Sequence, residues 1–133
     1  MKLDINVFNA SFTCVKFDSK HNHRSNYICF EDYYYSPSID DRVLMWYDEQ
    51  AKMLITGHTY YRDNENFESY IKVYNVIEKE DEYNYRVESG QSEKEIWSAD
   101  NVVLTKTMFK DEIKKYLKSE YDKMNRLMQL LEI

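Results

Sequence analysis

The chain has 133 residues, 43% of them hydrophobic and 32% charged, which is one globular domain's worth of core and not the composition of a disordered segment. Its net charge of −6 is uneven: residues 105–133 hold seven Lys/Arg against five acids, whereas residues 1–104 hold 11 basic and 19 acidic side chains. An acidic body of this kind argues against ordinary binding along a phosphate backbone, which needs basic side chains to release counterions.

The first residues, MKLDINVF, carry an early Asp4 and no apolar run of signal-peptide type, and no stretch approaches a membrane span, so a cytoplasmic location is expected. Residues 1–104 carry short runs rich in Tyr, Phe, Val, Ile and Thr between polar turns, which is the strand signal. Strands are expected near 3–8, 11–17, 26–35, 42–48, 53–61, 69–77, 83–88 and 94–97. Pro37 and Gly90 mark turns.

The segment CVKFDSKHNHRSNYIC, residues 14–29, holds both cysteines and two of the three histidines. A zinc site prefers close ligand pairs, and Cys14-x6-His21-x-His23-x5-Cys29 lacks them. The same letters suit a hairpin with Cys14 and Cys29 facing each other as small apolar side chains. No metal or cofactor is expected. Two cysteines without a leader also fit a reducing compartment.

In the strand near 69–77, alternation sets Ile71, Val73, Asn75 and Ile77 toward the core and leaves Tyr70, Lys72, Tyr74 and Val76 half-exposed. From 107 to 132 the period changes. Ile113, Leu117, Tyr121, Met124, Met128 and Leu131 recur every three or four residues, a helical stripe with Thr107 as N-cap and Asp111 and Glu112 in the first turn. Such a helix, about 36–39 Å long, either covers a sheet face or mediates a homodimer.

The order of residues 38–105 carries a resemblance. Asp41-Arg42-Val43, a strand with Gly57, Tyr85-Arg86-Val87 with Gly90, and Ser98 to Leu104 resemble the strand rhythm of Tudor-type and other SH3-like small barrels. The resemblance implies a small antiparallel barrel with a closing 3₁₀ turn, and an extra hairpin to absorb the long stretch between Gly57 and Tyr85. It also implies an aromatic cage for a methylated cation from Trp46 and Tyr47 with Tyr83 or Tyr85. The fold expected is therefore α+β and a single domain over 1–133: a partly closed antiparallel barrel with an N-terminal hairpin in 1–104, and a C-terminal helix in 105–133.

No nucleophile elbow, phosphate-binding glycine loop or deaminase signature is present, and two glycines cannot build a glycine-rich loop. A non-enzymatic role is expected. A small hydrolase or metal enzyme is a third reading, because catalytic assemblies are defined in space. Acids and tyrosines interleave on the body, and tyrosine offers a rigid contact face with a polar tip. Tyr60, Tyr61, Asp63, Glu65, Glu80, Asp81, Glu82 and Tyr83 are the candidate partner-binding residues. The partner expected is a protein with a basic, nucleic-acid-binding surface, which the chain would occlude as a regulator or inhibitor. The bias toward Lys, Asn, Ile and Tyr adds the expectation of an AT-rich bacterial or phage genome. The alternative is nucleic-acid binding through Lys110, Lys114, Lys115 and Lys118; a membrane partner is not expected.

Overall fold

The computed structural model describes residues 13–18, 26–32, 43–63, 65–88 and 94–132. Seven strands precede one helix: β1 (Thr13–Phe17), β2 (Tyr27–Asp32), β3 (Val43–Asp48), β4 (Met53–Tyr61), β5 (Phe67–Lys79), β6 (Asn84–Val87), β7 (Lys94–Asp100) and α1 (Lys106–Leu131). Every pairing is antiparallel, in the order β4-β3-β1-β2-β6-β5, and β4 pairs with β5 to close a six-stranded barrel. Strand β7 lies outside that ring, on the first half of β5.

One long strand makes this possible. The 13 residues of β5 pair with β4 along one edge, and with β7 and then β6 along the other. The length between Gly57 and Tyr85 is thus absorbed by β5 itself, not by the extra hairpin expected. Nor do residues 98–104 form a 3₁₀ turn: β7 runs to Asp100, and Asn101 then takes a left-handed conformation (φ 58°).

Two apolar clusters divide the core. Val43, Met45, Leu54, Tyr74, Val76, Tyr85 and Val87 fill the barrel with Val15 and Phe30. Leu44, Trp46, Ile55, Ile71 and Val73 face the other way and meet Leu104, Phe109 and Ile113. Strands β3 and β4 are consequently buried on both faces, which is why their sequences run apolar instead of alternating. The same geometry corrects the reading of β5. Ile71 and Val73 are buried beneath the helix, but Tyr74 and Val76 are buried too, inside the barrel. Ile77 is exposed, because the register shifts between Val76 and Glu78.

β1 and β2 form the expected hairpin, but Val15 pairs with Asp32 and Phe17 with Phe30, so Cys14 and Cys29 are not opposite one another. Cys14 pairs with Leu44 of β3, and the Asp18 N–H donates to the Cys29 carbonyl (2.9 Å). Neither cysteine is in a disulfide. His21, His23, Pro37, Gly90 and the strand expected at 3–8 lie outside the described residues.

The helix starts two residues earlier than its sequence suggests. Thr105 is the N-cap, its hydroxyl accepting from the Met108 N–H (3.2 Å), and the first turn holds no acid. Phe109 and Ile113 seal the sheet face, with Met108, Tyr116 and Leu117 partly buried around them. Full burial of two such side chains is worth ~1.5–3 kcal/mol each. Lys94 of β7 fastens the next turn, its ammonium lying 3.6 Å from Glu120 and 5.1 Å from the Tyr116 ring centre. No helix among the described residues is long and apolar enough to cross a membrane.

Candidate functional site

The candidate contact residues fall into two groups of four at opposite ends of β5. Tyr60 and Tyr61 end β4, and Asp63 and Glu65 lie in the β4–β5 turn; Glu80, Asp81, Glu82 and Tyr83 form the β5–β6 turn. Up to ~40 Å of strand separates the turns at 3.3 Å per residue. They do not form one surface.

Both turns are built alike. The Asp63 carboxylate accepts from the Glu65 and Asn66 N–H groups (2.9 Å each) and from the Asn66 side-chain amide. The Asp81 carboxylate likewise accepts from the Tyr83 N–H (2.9 Å) and the Asn84 amide (2.8 Å). The Arg62 and Glu80 N–H groups then close the turns onto the Asn66 and Asn84 carbonyls (2.9 Å each). An aspartate that bonds its own turn in this way is a local organiser. Hydrogen bonding holds both carboxyls below the ordinary range, the Glu65 N–H leading for Asp63 and the Asn84 side chain for Asp81. All five acids are exposed, but Asp63 and Asp81 are taken up in shaping the turns, and the carboxylates of Glu65, Glu80 and Glu82 are not part of that bonding. The motif Asp-x-x-Asn, at 63–66 and again at 81–84, was the sequence signal for it.

The two ends differ in what surrounds the turn. At the β4–β5 end Arg62 is ion-paired with Glu68 and lies 3.8 Å from Asp100, and at the β5–β6 end Arg86 is paired with Glu78 (3.0 Å), so each end carries an ion pair beside its turn. Tyr61 leans on Phe67, ring centres 5.3 Å apart. At the β5–β6 end a cavity of about 240 Å³ opens, lined by Met45, Trp46, Tyr47, Lys79, Glu82, Tyr83 and Tyr85. Tyr47 and Tyr85 meet at 5.1 Å between ring centres. Trp46 borders the cavity, but its side chain belongs to the cluster beneath the helix, so tyrosines supply the rings.

Lys79 was not singled out from sequence, and the β5 bulge explains why. Past the shift between Val76 and Glu78, Lys79 pairs directly with Tyr85 and projects from the same face. Its ammonium sits 5.5 Å from the Tyr47 ring centre and 5.8 Å from that of Tyr85, within cation–π range. The field here is negative. Burial, then the charges of Tyr47, Glu82 and Asp81, push the Tyr85 phenol up to about 12. Burial, then Glu49 and Asp48, raises Tyr47. Burial, the larger cause, would penalise a buried cation as well; only the smaller contribution of the neighbouring carboxylates favours one.

Elsewhere, no three His, Cys, Asp or Glu side chains among the described residues come together as metal ligands. On the helix, Lys110, Lys114 and Lys118 follow at four-residue intervals along one flank, while Lys115 pairs with Glu112 (3.0 Å). Compared with protein families, curated proteins and solved structures, the chain gives no match.

Proposed function

We propose that the protein is a non-enzymatic, protein-binding regulator or inhibitor. Its β5–β6 end takes a cationic side chain of the partner and covers a basic, nucleic-acid-binding surface. The observation that supports this is the Lys79 ammonium resting over Tyr47 and Tyr85 beside Glu82, because the chain itself supplies the kind of ligand the pocket suits. A partner's Lys or Arg would meet the same rings in competition with Lys79. Glu80 and Glu82, exposed at the rim, would draw it in and reject acidic competitors. The Tudor-type assignment is part of this reading, since a ring-lined pocket at one end of a small barrel fits it.

The contact set is narrower than the sequence suggested. Tyr83, Glu80 and Glu82 stay in it, Tyr47 and Tyr85 join it, Lys79 competes for it, and Asp81 acts through the turn. Tyr60, Tyr61, Asp63 and Glu65 lie at the other end of β5, away from the tyrosine-lined cavity. The alternative, phosphate contacts through Lys110, Lys114 and Lys118, draws on their alignment along the helix but works against the acidic body.

The test is a pull-down with the full chain and with the Glu80→Lys/Glu82→Lys variant, each with and without nuclease. A basic protein retained by the wild type after nuclease and lost by the variant supports the proposal. Capture by both chains alike, or capture that vanishes with nuclease, contradicts it.

A further inference from the structure

The helix face that docks on the sheet continues beyond it. Phe109 and Ile113 are fully buried, and Tyr116 and Leu117 partly so. Three and four residues apart, the same face then presents Met124, Leu127, Met128 and Leu131, with Leu130 beside them. These five side chains are between 41% and 88% exposed. Apolar residues scattered singly over a surface are ordinary, but a contiguous stripe of them marks a contact.

We propose that residues 117–131 form a self-association surface, on which the same segment of a second copy packs about a two-fold axis. Charge favours a second copy over a charged partner. Lys118, Lys123 and Arg126 are balanced by Glu120, Asp122 and, just past the segment, Glu132, so residues 117–132 are neutral in a chain of net charge −6. Two acidic copies repel everywhere except where no net charge is presented. Area supports it as well. The exposed stripe amounts to on the order of 500 Å² per chain, hence roughly 1,000 Å² for a pair, the lower bound for a specific interface. The segment spans about 21 Å, four turns, enough for successive layers of interlocking side chains. An isologous contact at this lower bound of size predicts a weak, reversible dimer, to be sought at roughly 1–100 μM chain. The inference stands apart from the proposed pocket, which lies on another element.

The test is sedimentation equilibrium of the full chain across that concentration range, alongside a Leu127→Glu/Met128→Glu variant and a milder Leu131→Glu variant. All three residues are exposed, and far-ultraviolet circular dichroism checks that the helix persists. Concentration-dependent dimer in the wild type, weakened at least tenfold in both variants, is the expected result. A wild type that stays monomeric throughout overturns the proposal, as does a dimer that persists unchanged in either variant.

Discussion

The Phe109 ring rests directly on Gly57. A β-carbon at position 57 would lie 2.7 Å from Phe109 Cδ1 and 2.5 Å from Leu104 Cδ2, closer than real atoms approach. Gly57 sits mid-strand in β4, so its role is space and not turn-making. Phe109 and Leu104 are both buried, so neither can swing away. Gly57→Ala should therefore lift the helix and cost about 1–3 kcal/mol by overpacking. Urea denaturation measures it, and an unchanged midpoint would mean the contact is looser than described.

The segment leading into the helix is pinned by a buried polar chain. The Ser69 hydroxyl donates to the Val102 carbonyl, Ser69 and Thr59 hydroxyls meet at 3.0 Å, and the Leu104 N–H donates to the Thr59 hydroxyl (3.1 Å). Three residues earlier on β4, Thr56 is equally buried but its hydroxyl has no hydrogen-bond partner among the described residues. Identical substitutions should thus have opposite signs. Thr59→Val strands a buried N–H and is expected to cost about 1–3 kcal/mol, whereas Thr56→Val is expected to be neutral or to stabilise by up to about 1 kcal/mol. Thermal melts of the two variants decide it; equal destabilisation would refute the distinction.

The paired turns make an acid-side prediction. Asp63 and Asp81 have carboxyls held below the ordinary value of ~3.9, so their contribution is complete above that pH and is lost as pH falls through the lowered values. Asp81→Ala should lower Tm by a few degrees at neutral pH and flatten its fall below about pH 4. The measurement is Tm against pH for wild type and variant. Parallel curves would remove Asp81 from the account.

The alkaline side follows from Tyr85. Its phenol, pushed up to about 12, stays neutral in the folded chain while an unfolded tyrosine ionises near 10. Stability from this group is full below about pH 10 and declines as pH rises toward 12. Tyr85→Phe should make that decline shallower. In a spectrophotometric titration, the late-ionising tyrosine of the wild type should be missing from the variant. A tyrosine titration unchanged by the substitution would contradict the burial assigned to Tyr85.

Much of this architecture is legible in the sequence. The β4 bounds follow from its apolar run, and the change of period after residue 104 announces the helix. Two features hid the rest. Burial of β3, β4 and β5 on both faces makes Tyr74 and Val76 core residues, although alternation assigns the core to the other parity. A bulge has no sequence signature of its own, so neither the exposure of Ile77 nor the aim of Lys79 can be read ahead of the register. The helix start was displaced because Asp111 and Glu112 suggest a first turn that the Thr105 cap places earlier. The turn-organising role of Asp63 and Asp81 is not legible from acidity, because local hydrogen bonding leaves no sequence trace apart from the repeated Asp-x-x-Asn.

The claim at the centre is that the pocket bounded by Tyr47, Tyr83 and Tyr85 binds a cation, with Lys79 as its resident competitor. The most direct test is an NMR titration of wild type and Lys79→Ala with a synthetic Lys/Arg-rich peptide, following the tyrosine ring resonances. The account predicts shifts centred on those three rings, and tighter binding by the variant, about two- to fivefold, once an internal contact of ~0.5–1 kcal/mol is removed. Weaker binding by the variant, or shifts centred on the helix or the β4–β5 turn, would contradict it.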